Sequence, residues 1–463
     1  MTEQLKLKLN DSKATRWGAL VIVAFTMMGA YYVNDVVAPL KTMLETDLAW
    51  SSTDFGFFTG GYSFLNVFFL MLIWGGLILD RFGIRFTGKL ATILMVGGTA
   101  LEYYAMTGLA GADATLFGIN EIFGYKTGVF VAFAGYSIFG VGAEGAGITV
   151  SKIIAKWFKG KELATAMGVQ VALARIGSQA GYAVAIPLAR AFGISTPVLL
   201  GLVLLLGGMI AFFIFAVMDK KLDKQMEAAA IAAGTEDEEE KFSFKDVKNI
   251  LVNPGFWLIA LLCVLFYSCV FPFQKFASEL MIIKYGINEN VAGTFAGLPA
   301  LGALILTPVF GGFIDKRGKS ASIMLLGSAM LICVHFIYAI PDINYWLVAI
   351  VLMIILGIAF SLVPSAMWPA VAKIFPVSQL GTAYALIFFI QNIGLWGIPT
   401  LIGWVLDAYC ISGKKPDGTN MYDYTVPMCI FTGIACLSLI VALLLKKADK
   451  KYGYKLEEPN IQK

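Results

Sequence analysis

Long apolar segments, each about the length needed to cross a lipid bilayer, recur along almost the whole chain. A helix needs about 20 apolar residues to span the hydrocarbon core of a bilayer. The sequence therefore predicts an all-α membrane protein with twelve transmembrane helices and no room for a soluble domain. The predicted spans are 17–40, 55–79, 88–109, 128–152, 163–189, 197–218, 254–280, 291–314, 320–340, 345–370, 381–406 and 426–446.

The composition argues against several functional classes. Only 14% of the residues are charged, whereas soluble domains average roughly 25%. The cysteines show no CxxC spacing and the single histidine, His335, lies inside an apolar segment, so no metal site is expected. The motif Gly140-x-Gly142-x-x-Gly145 resembles a dinucleotide fingerprint, but it lies within an apolar helix with no strand before it. We therefore expect no enzyme activity, no cofactor and no nucleic-acid partner.

The distribution of basic residues predicts the orientation of the chain. With the N-terminus inside, 27 of the 35 Lys and Arg residues lie in inside segments, seven lie outside and one, Arg175, lies within the fifth span. Because inside loops are enriched in Lys and Arg, both termini are expected in the cytoplasm. The single N-x-[ST] sequon, Asn10-Asp11-Ser12, falls in the inside tail, so no outer loop offers a glycosylation site. A multi-pass protein of the cell inner (plasma) membrane is expected.

The chain divides into two halves that repeat each other. The predicted units are an N-terminal six-helix bundle (1–218), a cytoplasmic linker (219–253) that includes the acidic run 235–240, and a C-terminal six-helix bundle with its tail (254–463). A G-x-x-x-D-[RK]-x-G motif follows both the second and the eighth span. Its residues are Gly76, Asp80, Arg81, Gly83 and Arg85 in the first copy, and Gly311, Asp315, Lys316, Gly318 and Lys319 in the second.

These paired turns indicate a gating function. Glycine permits close helix approach and positive φ, and an Asp near a helix end can pair with a neighbouring cation. Such a contact can hold one packing state and release in another. Two copies in equivalent turns are expected when parallel repeats rock about a central site.

Several further segments resemble one known family, and with the doubled motif they span most of the chain. They are Tyr31-Tyr32-x-x-Asp35, Phe139-Gly140-x-Gly142-x-Glu144, Trp157-Phe158-Lys159-Gly160-Lys161-Glu162-Leu163, Ala174-Arg175-Ile176-Gly177-Ser178, Val270-Phe271-Pro272-Phe273, Leu380-Gly381-Thr382-Ala383-Tyr384 and Ile390-Gln391-Asn392-Ile393-Gly394. The chain resembles the major facilitator superfamily, and within it the lysosomal dipeptide transporter branch and its bacterial relatives. The resemblance implies the major facilitator fold and dipeptide transport, with Glu144 and Arg175 reading the peptide termini.

The depth of these two charges supports a binding role independently. Ionisable groups in the middle of a membrane are costly, roughly 2.5–3.5 kcal/mol each on insertion scales, so they are candidates for function. At 1.5 Å per residue, Glu144 lies about 12 Å and Arg175 about 18 Å from the inner membrane edge. On consecutive antiparallel spans, a direct pair is within reach. The alternative is a buried salt bridge that only joins spans 4 and 5.

Other polar residues in the spans are suited to a cavity, although hydrogen bonding between helices explains each of them about as well. Glu102, in span 3, is left without a binding role, because packing or a protonated carboxyl explains it better. The remaining candidates for substrate binding are Tyr31, Tyr32 and Asp35 in span 1, Tyr62 and Asn66 in span 2, Lys275 in span 7, and Gln391, Asn392 and Trp396 in span 11.

Two functions remain open at this point. The first is a monomeric secondary active or facilitative transporter of dipeptides or small zwitterionic solutes. The second is an organic-anion antiporter or symporter for dicarboxylates or uronates, in which Arg175 alone reads a carboxylate and Glu144 balances it. Protons are a candidate coupling partner, because Asp35, Glu102 and Glu144 are carboxylates in membrane-buried positions. No nucleotide-binding motif is complete, since Leu90 replaces the Ser or Thr after Gly88-Lys89, so ATP-driven transport is not expected.

Overall fold

The chain is almost entirely helical in the computed structural model, which describes residues 8–111, 114–158, 161–233, 244–415 and 417–459. Residues 159 and 160 and the acidic run 235–240 lie outside the described residues. The helices are α1 (Lys13–Val36), α2 (Lys41–Leu48), α3 (Ser52–Phe68), α4 (Met71–Thr107), α5 (Thr127–Trp157), α6 (Leu163–Phe192), α7 (Thr196–Ala233), α8 (Phe244–Val252), α9 (Pro254–Tyr285), α10 (Glu289–Ala296), α11 (Leu298–Arg317), α12 (Ser320–Ala339), α13 (Trp346–Ile374), α14 (Val377–Tyr409) and α15 (Thr425–Tyr452).

Short elements occupy the connections between these helices. Two 3₁₀ turns cover Leu9–Asp11 and Ala38–Leu40. Two antiparallel hairpins lie in loops, one formed by β1 (Glu121–Ile122) and β2 (Tyr125–Lys126), the other by β3 (Ile411–Lys414) and β4 (Asn420–Tyr422).

The helices confirm the predicted all-α membrane fold. Within the described residues, nine helical segments are long and apolar enough to cross a membrane, or ten when the bent pair α3–α4 is counted as one. That pair covers the predicted spans 2 and 3. The predicted span 5 corresponds to α6, which is less apolar because Gln170, Arg175 and Gln179 interrupt it. Each predicted span thus falls on helical structure.

The second predicted span is not one continuous helix. It breaks after Phe68, and α4 starts after Leu70, whose φ of 53° is left-handed; the two helices meet at 58°. Leucine is costly in this conformation, because its Cβ crowds the backbone, so the surrounding packing must hold it there. The turn expected after span 2 is instead a kink inside α4 at Gly83, where φ is 75° and ψ is 174°. Glycine adopts that backbone without a Cβ penalty.

The described part of the predicted linker is largely helical. Helix α7 continues past the predicted end of span 6 as far as Ala233, and α8 occupies 244–252. The part of α7 beyond the predicted span carries Asp219 and Asp223, whose carboxylates bind basic side chains of α4 and α5.

The two halves meet most closely on one side of the bundle. We call the side where α1 begins and α15 ends the terminal side, and the opposite side the far side. At the far side, Asp407 of α14 accepts hydrogen bonds from the backbone N–H groups of Ser52 (3.3 Å) and Thr53 (2.6 Å) at the start of α3. Gly56 and Gly403 allow these two helices to touch, because a Cβ on either residue would collide with the other backbone. The far side is therefore closed in this structure.

The end of the chain packs against the second gating turn, on the terminal side. Gly318 and Lys319 have left-handed φ values of 71° and 65°. The N–H groups of Lys319 and Ser320 donate to the carbonyls of Glu457 (3.1 Å) and Leu456 (3.0 Å). The Glu457 carboxylate accepts from both the N–H and the hydroxyl of Ser322, each at 2.8 Å, so it caps the start of α12.

Candidate functional site

A cavity of about 220 Å³ lies between the two halves, inside the closed far side. Helices α1, α3, α5 and α6 form one wall, and α9, α13 and α14 form the other. It is lined by Met27, Ala30, Tyr31, Asn34, Thr59, Tyr62, Ser63, Tyr136, Ala143, Glu144, Gly147, Arg175, Tyr267, Phe271, Pro272, Lys275, Trp368, Phe388, Gln391, Leu395 and Pro399.

Six of the predicted binding residues line this cavity: Tyr31, Tyr62, Glu144, Arg175, Lys275 and Gln391. The other five lie outside the lining. Tyr32 donates its hydroxyl to the carbonyl of Pro197 (3.2 Å), within the first half. Asn66 and Asn392 are buried, and each donates to a carbonyl one turn back on its own helix. Trp396 packs edge-on against Phe68, with ring centroids 4.7 Å apart. Asp35 belongs to a network at the far end of the cavity.

Glu144 is held by its helix and by one hydrogen bond. Helix α5 approaches α3 closely at Gly140, where a Cβ would collide with the backbone carbonyl of Tyr62. One turn further along α5, the Glu144 carboxylate accepts a hydrogen bond from the Tyr62 hydroxyl at 3.0 Å. Among the described residues, Glu144 has no ion-pair partner. Its charge is therefore available to a cationic group in the cavity.

Arg175 lies between two aromatic rings. Its guanidinium carbon is 5.6 Å from the ring centroid of Tyr31 and 4.9 Å from that of Phe360, which are cation–π distances. Phe360 belongs to the second half, so the guanidinium touches both halves. In the described part of the chain Arg175, like Glu144, forms no ion pair. Its fork of donors is free to bind an anionic group.

The direct Glu144–Arg175 pair that depth and helix order made possible is not formed. The carboxylate turns to Tyr62 and the guanidinium to the two rings. Depth along a helix can be counted from sequence, but the direction in which a side chain leaves the helix cannot. The two charges share a cavity without neutralising each other.

A polar network closes the far end of the cavity. The ammonium of Lys275, on α9, lies 3.2 Å from a carboxylate oxygen of Asp35 and 2.5 Å from the carbonyl of Asn34, both on α1. Asp35 also accepts from the hydroxyl of Ser178 at 2.6 Å. Tyr136 donates to Asn34 at 2.8 Å. Lys275 thus pairs across the two halves rather than with Glu279 on its own helix.

A second group of charges lies nearer the far surface. We call Lys41, Glu45, Glu279 and Lys415 the far-side charge cluster. The Lys41 ammonium, with its side chain 1% exposed, is 2.6 Å from Glu45 and 2.5 Å from Glu279. Lys415, from hairpin β3–β4, is 3.8 Å from both carboxylates. The cluster joins α2 of the first half to α9 of the second, and sequence analysis counted these two lysines only as outer loop charges.

Sequence analysis missed most of the aromatic lining. Tyr136, Tyr267, Phe271, Trp368 and Phe388 all face the cavity. One signal was present: Tyr267, Phe271 and Lys275 follow at four-residue intervals, which places them on one face of a helix. The aromatic side chains were read as ordinary span residues because apolar rings are expected throughout a membrane helix.

Glu102 lies outside the cavity and keeps no assigned function. Its side chain is 0% exposed, and neither carboxylate oxygen has a hydrogen-bond partner among the described residues. A buried charge without partners is costly, so the geometry favours a neutral carboxyl.

The first gating motif forms ion pairs within the first half. Asp80 pairs with Lys152 of α5 at 3.1 Å. Arg85 binds Asp219 (3.3 Å) and Asp223, and Lys156 binds the same two carboxylates. The ring of Phe82 lies under the guanidinium of Arg81. A Cβ on Gly76 would meet open space.

The second gating motif is organised differently. Gly318 and Lys319 form the turn that the chain end covers. A Cβ on Gly318 would collide with the backbone of Glu457 and Glu458. The charge of Asp315 interacts with Lys373, Gly311 has open space where a Cβ would lie, and Lys316 is exposed to solvent.

Asp80→Asn and Asp315→Asn are expected to slow transport while leaving substrate affinity within about threefold, because both turns lie at the terminal side, away from the cavity. The turnover number and the KM of the purified variants in liposomes check this. Arg317→Gln, which removes an exposed charge from the same turn at a position outside the motif, is the matched control. Wild-type turnover in both Asp variants contradicts the gating role.

The chain matches the model of the Major Facilitator Superfamily over residues 20–398 and 276–458. Among curated proteins it is similar to the lysosomal dipeptide transporter MFSD1 of several vertebrates. The Homo sapiens protein is 29% identical over 454 residues, which cover 95% of this chain and 88% of the relative. The Danio rerio protein is 27% identical over 441 residues, covering 93% and 86%. The Gallus gallus protein is 33% identical over 287 residues, covering 59% and 62%.

Solved structures share the same fold. The nucleoside transporter NupG superposes with a TM-score of 0.68 at 11% identity, covering 93% of this chain and 98% of that one. A D-xylose–proton symporter gives 0.63 at 15% identity, with 93% and 97% covered. A bacterial homologue of the human lysosomal transporter Spinster gives 0.62 at 15% identity, with 98% and 99% covered. At these identities the likeness concerns the fold alone.

Proposed function

The chain belongs to the major facilitator superfamily, a family of transporters rather than enzymes, and from that premise we propose that it carries dipeptides and similar small zwitterions. The vertebrate relatives named as dipeptide transporters support the substrate class. The proposed units of movement are the six-helix halves 1–218 and 254–463, which rock about the cavity between them.

One observation carries this proposal: the cavity holds a guanidinium and a carboxylate that are not paired with each other. Arg175 presents donors that fit a carboxylate, and Glu144 accepts from an ammonium. A zwitterion satisfies both charges at once. A simple anion satisfies Arg175 but leaves Glu144 buried without a cation, which is unfavourable. The 220 Å³ volume lies below the roughly 300–1,000 Å³ of sites for drug-sized ligands, so it suits a small solute.

The contacts between the halves fit one state of an alternating-access cycle. The pairs Lys275–Asp35 and Lys41–Glu279 close the far side. Opening that side requires these contacts to separate, whereas the gating turns lie at the terminal side. From the excess of Lys and Arg we propose that the terminal side is cytoplasmic, which places the closed far side at the outer face of a cell inner membrane.

Competition by end-blocked peptides tests the function. The purified protein in liposomes would be offered a labelled dipeptide against excess free, N-acetylated, C-amidated and doubly blocked dipeptide. The free peptide is expected to compete at least tenfold more strongly than either singly blocked one, because each block removes one charge-assisted contact. Equal competition by free and N-acetylated peptides would show that no site binds the ammonium, and the proposal would be wrong.

A second candidate, an organic-anion carrier, is favoured by one observation. Lys275 lines the cavity together with Arg175, so two cations face the same space. In this structure Lys275 is already bound to Asp35, which leaves a single unpaired cation. A dicarboxylate that competes more strongly than a free dipeptide would move this candidate ahead.

A further inference from the structure

The two walls of the cavity differ in chemistry. The first half supplies the unpaired charges, on Glu144 and Arg175. The second half supplies four aromatic side chains, which we call the aromatic wall: Tyr267, Phe271, Trp368 and Phe388. The one charged residue that the second half contributes to the lining, Lys275, is engaged by Asp35 at the far end.

The rings of the aromatic wall pack on one another as a continuous surface. Tyr267 and Phe271 stack with centroids 5.5 Å apart and planes 14° apart. Trp368 stacks on Phe388 at 4.7 Å and 25°. The indole N–H of Trp368 donates to the Tyr267 hydroxyl at 3.2 Å, which links the two stacks. Because that donor is used within the wall, the indole N–H is not available to a substrate in the cavity.

This surface begins next to Arg175 rather than next to Glu144. Phe360, which lies 4.9 Å from the guanidinium carbon, packs edge-on against Phe271 with centroids 5.3 Å apart. Phe360 also contacts Tyr267 at 6.3 Å. Glu144 instead binds Tyr62 of the first half, and its neighbours in the lining on α5 are the small residues Ala143 and Gly147. The two charged ends of the cavity therefore have different surroundings.

We propose that the aromatic wall is the subsite for the side chain of the substrate residue that bears the free carboxylate. The inference rests on the proposed function, in which Arg175 binds that carboxylate. The α-carbon of the same residue is one bond from the carboxylate, so its side chain leaves the backbone beside Phe360 and Phe271. Apolar and aromatic side chains gain buried contact and ring stacking there, whereas small ones gain little.

A pair of positional isomers tests this without any change of composition. Glycyl-phenylalanine and phenylalanyl-glycine have the same charges, size and hydrophobicity, but only the first places its ring on the residue with the carboxylate. Wild-type protein is expected to bind glycyl-phenylalanine about tenfold more tightly, since burying one aromatic side chain is worth roughly that factor or more. Binding would be measured by competition and by transport in liposomes.

Substitution of the wall locates the preference. Phe271→Ala is expected to reduce the ratio between the isomers to about twofold; because both isomers carry the same charged ends, a general loss of binding cancels in this ratio. Phe271→Leu, which keeps more packing volume, is expected to give an intermediate ratio. Phe336→Ala removes a ring of the same size from an exposed position on α12, so it is expected to keep the wild-type ratio.

The outcomes separate this inference from the proposed function. If neither isomer nor diglycine binds wild-type protein, the proposed function is wrong. If all three bind but the isomers are equal, or phenylalanyl-glycine is preferred, the subsite assignment is wrong. A tenfold preference that survives in Phe271→Ala and Phe271→Leu also overturns the assignment.

Discussion

Arg175→Gln is expected to weaken the binding of free dipeptides by roughly 10–150-fold, which corresponds to the loss of one charged hydrogen-bonding contact of about 1.5–3 kcal/mol. C-terminally amidated peptides lack the carboxylate that Arg175 would bind, so their affinity is expected to change by less than about threefold. Glutamine keeps a polar, though shorter, side chain but removes the charge and the fork of donors. Competition binding with the free and amidated forms of one dipeptide measures the difference.

Glu144→Gln is expected to give the mirror result at the other end of the substrate. Free dipeptides should weaken by the same roughly 10–150-fold, and N-acetylated ones by less than about threefold, because acetylation already removes the ammonium. Tyr62, which donates to Glu144, can donate to the amide oxygen of glutamine as well. The hydrogen bond that orients the side chain is thereby preserved, and the change isolates the charge.

Arg190→Gln is the matched control for both variants. Arg190 lies on the same helix as Arg175, but its side chain is exposed at the far side, where it pairs with Glu289. Its loss is expected to leave the selectivity between free and blocked peptides unchanged. If Arg175→Gln and Glu144→Gln remain folded, with unchanged melting, yet lose free and blocked peptides equally, the two residues do not read the peptide termini.

Lys41→Met is expected to destabilise the closed far side by up to about 3–5 kcal/mol, because it leaves the buried carboxylates of Glu45 and Glu279 with only the Lys415 ammonium, 3.8 Å from each. That free energy corresponds to a shift of roughly 150- to 5,000-fold in the equilibrium between the states closed and open at the far side. Distance measurements between spin labels placed on the far ends of α3 and α14 would show the shift as a second, longer population.

The same Arg190→Gln variant provides the comparison. It breaks another ion pair between the halves, but an exposed one, so its effect is expected to stay below about 1 kcal/mol. Adding Glu279→Gln to Lys41→Met removes one of the stranded charges and should return part of the closed population. If Lys41→Met behaves like Arg190→Gln, the far-side charge cluster does not hold the two halves together.

The fold was largely predictable because membrane helices can be recognised in a sequence by their length and apolarity. The lipid core requires about 20 apolar residues per span, and that requirement leaves a local signal. The departures arise where the backbone is set by packing. Leu70 interrupts the second span in a left-handed conformation that leucine rarely adopts. Gly83 bends α4 where a loop between two helices was expected.

The site was predictable in its charges and less so in its shape. Glu144 and Arg175 stood out because ionisable residues are rare in apolar spans. The direction in which each side chain leaves its helix could not be read from the sequence. The structure shows that the two side chains turn to different partners and do not pair with each other. The Asp35 partner of Lys275 and the Glu279 partner of Lys41 come from helices more than two hundred residues away along the chain. Only the assembled helices bring such groups together, and the aromatic wall gave no compositional contrast with the spans around it.

Because the two walls of the cavity differ, binding of the charged ends of a substrate and movement of the two halves depend on different parts of the substrate. A ligand that touches one half alone makes the same contacts wherever the other half sits, so it cannot favour any state of the cycle. Diglycine would contact mainly the first half, through its two charged ends. A substrate with a side chain on the aromatic wall would contact both halves at once. Among compounds of equal affinity, those with such a side chain should shift the equilibrium between the two states, and those without it should leave that equilibrium as it is in the empty protein.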